Sequence, residues 1–299
     1  MNTASHMAGI IPVANLQTDL EAPFDPVLTL VAPGYTAIQK SVLECAIAGC
    51  RTIWIVCGDD TAPIIRKIVG EWIFDPVYLS RPHVRFPSEH QREIPIYYVP
   101  IHPKDMDRRD SYGWSALYGI ASAWRVASKI SRWLLPDKYF ISFPLGLHNV
   151  YGLRPLRQQI SSTEGNFFLS HKEQTVLDNL PLSFTMSGDD FLQCRRQVNS
   201  LTTKEYYNTD EQYPSEKLPL SERWSARHFD FATVFGPTDR TNAVDHEVGW
   251  YYDASQWEEY RNYLGSENFI KKPAKILTQP RRHAKLTYTQ EGSVEEIED

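Results

Sequence analysis

Short apolar runs and longer amphipathic stretches take turns along the first half of this chain. Gly9–Ala14, Arg51–Cys57, Ile94–Val99 and Lys138–Phe143 are six or seven residues long and rich in β-branched and aromatic side chains. Runs of that length are too short for helices and suit strands of a covered parallel sheet. Between them lie stretches with helical spacing. Over Thr36–Ala48, Ile38, Val42, Leu43 and Ile47 share a stripe, and Gly49 stands where a helix C-terminal glycine belongs. Thr61–Val69 has Pro63 in its first turn and Gly70 after its end. Tyr112–Ser131 carries Ala116, Leu117, Ile120, Ala123, Trp124, Ala127 and Ile130 on one face, with small residues near its start. The alternation predicts an α/β protein whose mainly parallel central sheet is flanked by helices and holds all four runs as neighbours. Ligands of such sheets bind beyond the carboxyl ends of the strands. The Asn15–Asp19 loop and the Gly58-Asp59-Asp60 turn are therefore expected on one rim.

The second half reads less regularly. Residues 71–93, with Pro76, Pro82 and Pro87, predict a surface loop or small insertion, and 203–221 a tyrosine-rich loop. Leu182–Met186 is strand-like. A helix is expected near Asp190–Leu201, capped by Ser187 or Asp189, with Phe191, Cys194 and Val198 inward. Arg227–Phe235 alternates like a strand closed by Gly236-Pro237. Ser255 and Glu258 have the spacing of a capping box for a helix ending at Leu264. From Lys271 the chain is basic, then acidic to Asp299. This predicts one α/β domain over 8–265 and a charged tail over 266–299, mobile or partner-bound. Ser5-His6-Met7 matches a cloning remnant, and residues 1–7 are set aside from the fold argument.

Charge narrows the function classes. A net charge of −6 over 299 residues argues against broad nucleic-acid binding by counterion release. Sixteen tyrosines and eight tryptophans supply amphipathic side chains for a protein interface. Cys45, Cys50, Cys57 and Cys194 form no C-x-x-C pair, so reduced thiols in a cytoplasmic protein are expected. No apolar run reaches transmembrane length, so no membrane partner is expected.

Three groups of residues carry candidate chemistry. Asp59 and Asp60 either cap the helix that follows or offer adjacent carboxylates to a metal; the helical pattern beginning at once after them favours the cap. Lys104, Arg108 and Arg109 precede the N-terminus of the long helix, where charge, dipole and free N–H groups together cradle anions. Asp105, Asp107 and Asp110 interleave with them, so a solvated mixed-charge loop is the competing reading. Asp253 stands where it can support the helix cap at Ser255.

The opening order also resembles that of the sugar-phosphate nucleotidyltransferases (nucleotide-sugar pyrophosphorylases). Ile10-Ile11-Pro12-Val13-Ala14 matches their first strand; Leu16, Thr18 and Leu20 match loop positions; Leu28, Val31, Ile38 and Ala48-Gly49 follow in step. Val248–Tyr260 resembles a second family segment, with Asp253 at the place of a magnesium-binding aspartate. The resemblance implies a Rossmann-related, GT-A-like fold and a site made of Ala14, Asn15, Leu16, Gln17, Asp19, Lys104, Arg108, Arg109 and Gly113, with Asp253 for Mg2+. The implied ligand is a nucleotide, sugar phosphate or nucleotide-sugar. The implied reaction joins a nucleoside triphosphate to a sugar 1-phosphate and releases pyrophosphate.

The loop letters depart from that pattern. Asn15 and Gln17 replace two glycines, where a Cβ obstructs backbone N–H groups closing on a triphosphate. Asp19 replaces the phosphate-binding Arg, and Pro26 follows Asp25 where the family has Lys after Pro. The fourth strand ends in Phe143-Pro144-Leu145-Gly146-Leu147-His148-Asn149, without the family's second magnesium aspartate. A pseudoenzyme is therefore expected, with little or no turnover. The alternative is a structural or assembly protein that keeps the fold, partnered through its aromatic surface or tail. The chain as a whole also resembles phage-encoded proteins of this group, which implies host cytoplasm or a virion as its setting.

Overall fold

The computed structural model describes residues 6–79, 93–102, 111–206 and 229–269, with two short strands at Leu286–Tyr288 and Val294–Glu296 that pair antiparallel. Eight strands form one sheet: β1 (Met7–Pro12), β2 (Thr52–Cys57), β3 (Trp72–Phe74), β4 (Glu93–Pro100), β5 (Lys138–Ile141), β6 (Phe167–Ser170), β7 (Phe184–Ser187) and β8 (Val244–Glu247). Their order is β8-β6-β7-β5-β1-β2-β4-β3. The four strands read from the sequence are consecutive neighbours, β5-β1-β2-β4, and all parallel. β7 and the edge strand β3 run against their neighbours.

β1 sits at the centre because it is apolar on both faces. Met7 and Ile11 pack into one core with α1 (Ala37–Ala48), and Ala8 and Ile10 into the other with α3 (Tyr112–Ile130). That split is the two-residue period of a strand. Both helices press close. A Cβ on Gly9 would stand 2.8 Å from Cys45 Sγ, and one on Gly119 would stand 2.7 Å from the methyls of Ile10 and Val56. The helix α1 has a capping box between Thr36 and Gln39 and ends at Gly49, whose φ of 103° is left-handed. α2 (Ala62–Val69) follows β2; its N-cap is Thr61, with no side-chain cap, so the cap expected at Asp60 is corrected, and Asp60 Oδ1 accepts from the Thr61 N–H in the turn before the helix. On the other face α4 (Gly188–Tyr206) starts from a reciprocal pair between Ser187 and Asp190.

Four expectations are corrected. Met7 belongs to β1, which begins and ends two residues earlier than expected; its carbonyl accepts from the Arg51 N–H. Residues 72–74 of the expected loop form β3, where Trp72, Ile73 and Phe74 pair with β4. Residues 203–206 belong to α4 rather than to a loop; the rest of 203–221 lies outside the described residues. The expected strand over 227–235 is, from Phe231 to Phe235, the short helix α5. Asp230 caps α5 through the Thr233 N–H at 2.8 Å, and Asn179 accepts from the Ala232 N–H at 2.9 Å. The adjacent Val234 and Phe235 are both fully buried in one core, which a strand's alternation does not allow.

Among the described residues no helix is long and apolar enough to cross a membrane. All four cysteines are free and buried.

Candidate functional site

At the carboxyl end of β1 the chain turns out of the sheet. The N–H groups of Val13 and Ala14 both donate to the Val56 carbonyl, and Ala14 O accepts from Ser115 Oγ of α3 at 2.9 Å. Asn15 then adopts a φ of 62°, a left-handed conformation that asparagine tolerates better than most residues. The loop beyond is stitched to a segment more than 230 residues away. Thr18 Oγ1 and the Asp19 N–H both donate to Ser255 O, at 2.7 and 3.0 Å. Asp19 Oδ1 accepts from the Trp257 N–H at 2.5 Å, at the first residue of α6 (Trp257–Leu264). The expected Ser255–Glu258 capping box is therefore corrected. Gln256 makes no side-chain cap, and the carboxylate that caps α6 comes from the first loop.

Between these segments lies a cavity of about 230 Å³. Asn15, Leu16 and Gln17 line it from the loop, Tyr112 and Gly113 from the first turn of α3, and Asp253 and Ser255 from the segment before α6. Asp253 is held there by a two-residue ladder of Tyr252–Asp253 with Gly146–Leu147, just beyond β5. Ser255 donates to Asp253 Oδ1 twice, from its N–H at 2.9 Å and its hydroxyl at 2.6 Å. Leu145, Asn179, Pro181, Phe229, Asp230 and Phe231 complete the lining. Of the residues named from the sequence, Ala14 and Asp19 are not in this lining. Lys104, Arg108 and Arg109 lie outside the described residues.

Polar groups at this site are left unpaired. Asn15 Nδ2 and Tyr112 Oη of the lining, and Tyr251 Oη close by, are buried without a hydrogen-bond partner among the described residues. Burial raises the Asp253 carboxyl above its ordinary value; the Ser255 bonds oppose this, and the charge of Asp19 adds to it. Burial and then Asp253 push the Tyr112 hydroxyl well up. Asp230 goes the other way, held low chiefly by its hydrogen bonds to Thr233 and Asn179. No Lys or Arg is among the described lining residues. The cavity therefore offers carboxylate acceptors, amide and phenol groups and the rings of Phe229 and Phe231.

A protein-held magnesium ion does not fit this donor set. Asp253 Oδ1 is taken by two hydrogen bonds, and both oxygens of Asp230 are taken by Thr233 and Asn179. No group of three metal-ligating side chains exists among the described residues. Octahedral Mg2+ would find one free carboxylate oxygen here. His148, named as a polar group after the fourth strand, lies elsewhere: it is buried beside Glu44, with Nε2 3.1 Å from Oε1.

Tyr112, Asn179 and Asp230 escaped the sequence reading. Tyr112 looks like an ordinary helix-start residue, and Asp230 lay in the misread strand. Asn179 has a left-handed φ of 68° in a turn whose partner, α5, is 53 residues on, so no local pattern marks it.

No protein-family model matches the chain, and no curated protein matches it in sequence. Solved structures do. A Bacillus anthracis protein assigned as a glucose-1-phosphate thymidylyltransferase, in complex with sucrose, superposes with a TM-score of 0.54 over 91% of this chain and 100% of its own, at 10% identity. A UDP-glucose pyrophosphorylase complexed with UDP-glucose gives a TM-score of 0.49 over 87% and 97%, also at 10% identity. The first likeness establishes a nucleotidyltransferase-like α/β fold.

Proposed function

We propose that this chain uses the nucleotidyltransferase fold to bind a nucleotide or nucleotide-sugar between the first loop and Asp253, without turning it over. The observation that carries the reading is the set of three hydrogen bonds from the loop to the Ser255–Trp257 segment. It closes a cavity with unpaired polar groups, and it spends Asp19 on the N-terminus of α6. An active transferase must place positive charge on the departing pyrophosphate. The sequence resemblance matches Asp19 to the residue that supplies it, and Asp19 is a carboxylate engaged in a structural hydrogen bond.

In this reading Asp253, Asn15 and Tyr112 hydrogen-bond the hydroxyl groups of the ligand, and Phe231 packs on a ring. Gln17 and Gly113 bound the site, with Leu16 as its apolar edge. Lys104, Arg108 and Arg109, which lead into the N-terminus of α3, meet the phosphates. No step of this proposal runs through a metal.

Calorimetric titration with UDP-glucose, with and without Mg2+, tests binding. Asp253→Ala should weaken it about tenfold, the loss of one good hydrogen bond. A parallel assay follows pyrophosphate release from each nucleoside triphosphate with a panel of sugar 1-phosphates, and the expected rate is at background. Turnover abolished by Asp253→Ala would restore an active transferase. Absence of binding to any nucleotide or nucleotide-sugar would sink the proposal.

A further inference from the structure

A second, smaller cavity lies on the α1 side of the sheet, away from the site above. It measures about 30 Å³ and is lined by Tyr35, Lys40, His148, Tyr151, Trp250 and Tyr263, among others. Behind its wall is a buried charged cluster. Lys40 Nζ lies 3.2 Å from Phe143 O, 2.6 Å from Gly146 O and 3.2 Å from Glu44 Oε2. Ser142 Oγ donates to the same Glu44 oxygen at 2.6 Å, and His148 Nε2 lies 3.1 Å from the other.

The three protons of Lys40 are thus spent on two carbonyls and a carboxylate, and no free charge faces the cavity from this side chain. Tyr263 is also satisfied, through Val31 O at 2.7 Å. His148 Nε2 and Glu44 Oε1 lie 3.1 Å apart without hydrogen-bond geometry, and two further polar atoms remain. Tyr35 Oη and His148 Nδ1 are buried with no partner among the described residues. Tyr35 is 4% exposed, and the His148 side chain 1%. Burying such atoms unpaired is unfavourable, and native structures rarely leave them so.

The free groups fix the class of occupant. The phenol can donate or accept, and an imidazole nitrogen can hydrogen-bond in either protonation state. Two such groups lining about 30 Å³ describe a water molecule: such a space exceeds the roughly 10–15 Å³ one water requires, and a buried water needs two to four polar partners.

We propose that this cavity is an internal water site, in which one water bridges Tyr35 Oη and His148 Nδ1. The water continues the chain Glu44–His148 across to Tyr35. It joins three segments: α1, the turn after β5 and the hairpin of Leu30–Ala32 with Tyr35–Thr36. The turn contains Gly146–Leu147, whose ladder carries Asp253, so His148 and its water are positioning elements for the strand that lines the larger cavity.

A crystal structure of the full chain at a resolution that shows waters is the test, with a second crystal pressurised with xenon. The expected result is one water within hydrogen-bond distance of both Tyr35 Oη and His148 Nδ1, and no xenon. A dry cavity, xenon bound there, or a direct Tyr35–His148 hydrogen bond would overturn the proposal, since apolar cavities stay dry and take up xenon. Tyr35→Phe, which keeps the ring, should lose the water and lower the melting midpoint. Water retained with an unchanged midpoint would equally refute it.

Discussion

Two polar regions of this protein flank the turn after β5 and are built on opposite terms. Behind the end of β5, Lys40 bonds two carbonyls and Glu44 Oε2, Ser142 donates to the same oxygen, and His148 Nε2 lies 3.1 Å from the other. The Glu44 carboxyl is held well below its ordinary value although burial alone would raise it; Lys40 and then His148 outweigh that burial. At the larger cavity, Asp253 is pushed up, and Asn15, Tyr112 and Tyr251 keep unpaired polar atoms. The ion pair of the first region is completed by the fold, whereas the carboxylates of the second have no Lys or Arg among the described lining residues. A polar group satisfied internally stabilises one arrangement, whereas one left open is available to a ligand. His148, after the fourth predicted strand, lies against Glu44.

The comparison breaks most visibly at Glu44. Glu44→Gln leaves Lys40 buried without its counter-charge, which should cost about 3–5 kcal/mol of unfolding free energy in urea titrations. A loss below about 1 kcal/mol would mean the cluster is not the closed structural unit described. The acid side follows from the same sign. A carboxyl with a lowered folded-state value contributes its full stability above its unfolded value, and that contribution is lost as pH falls through the folded value.

A smaller effect is expected at the stitch between the two ends of the chain. Asp19→Ala removes the cap on α6, and caps of this kind are worth about 1 kcal/mol. Thermal unfolding should show the loss, and Asp19→Asn, which keeps an acceptor oxygen, should recover most of it. Failure of Asn to recover would show that charge, rather than the hydrogen bond to Trp257, holds the loop.

The smallest effect has the opposite direction. Asp253→Asn keeps an oxygen for both Ser255 bonds and removes a charge that burial disfavours. Because the folded-state value of Asp253 is raised, wild type loses stability as pH rises through that value. The variant should therefore melt about 1–3 °C higher at pH 7, with the gain vanishing below the ordinary carboxylate range. A lower midpoint at pH 7 would make Asp253 a structural support like Glu44 and erase the contrast between the regions.

The large elements were legible because their signals are local. The apolar runs at 9–14, 51–57, 94–99 and 138–143 and the stripe over Ile38–Ile47 need only neighbouring residues to declare strand or helix, and their alternation makes them neighbours in one mainly parallel sheet, as β5, β1, β2 and β4 are. Even Asn15, at a position matched to a glycine, keeps the left-handed backbone a glycine favours. Where strand and helix periods compete over a few residues, the signal failed. Phe229, Phe231, Thr233 and Phe235 alternate, but Asp230 and Asn179 hold that segment as a helical turn, and the second of these comes from another part of the chain.

What the sequence determined by itself is the α/β class, the neighbouring of four strands in one mainly parallel sheet and the placement of the first loop on the carboxyl rim, since each follows from hydrophobic period and chain connectivity. What only the tertiary structure decided is which polar residue serves which purpose. Asp19 and Asp253 are both carboxylates near the same rim, yet one caps a helix 238 residues away and the other lines the cavity. Hydrogen-bond satisfaction depends on partners brought together by folding, and the spacing of residues along the chain does not carry that information.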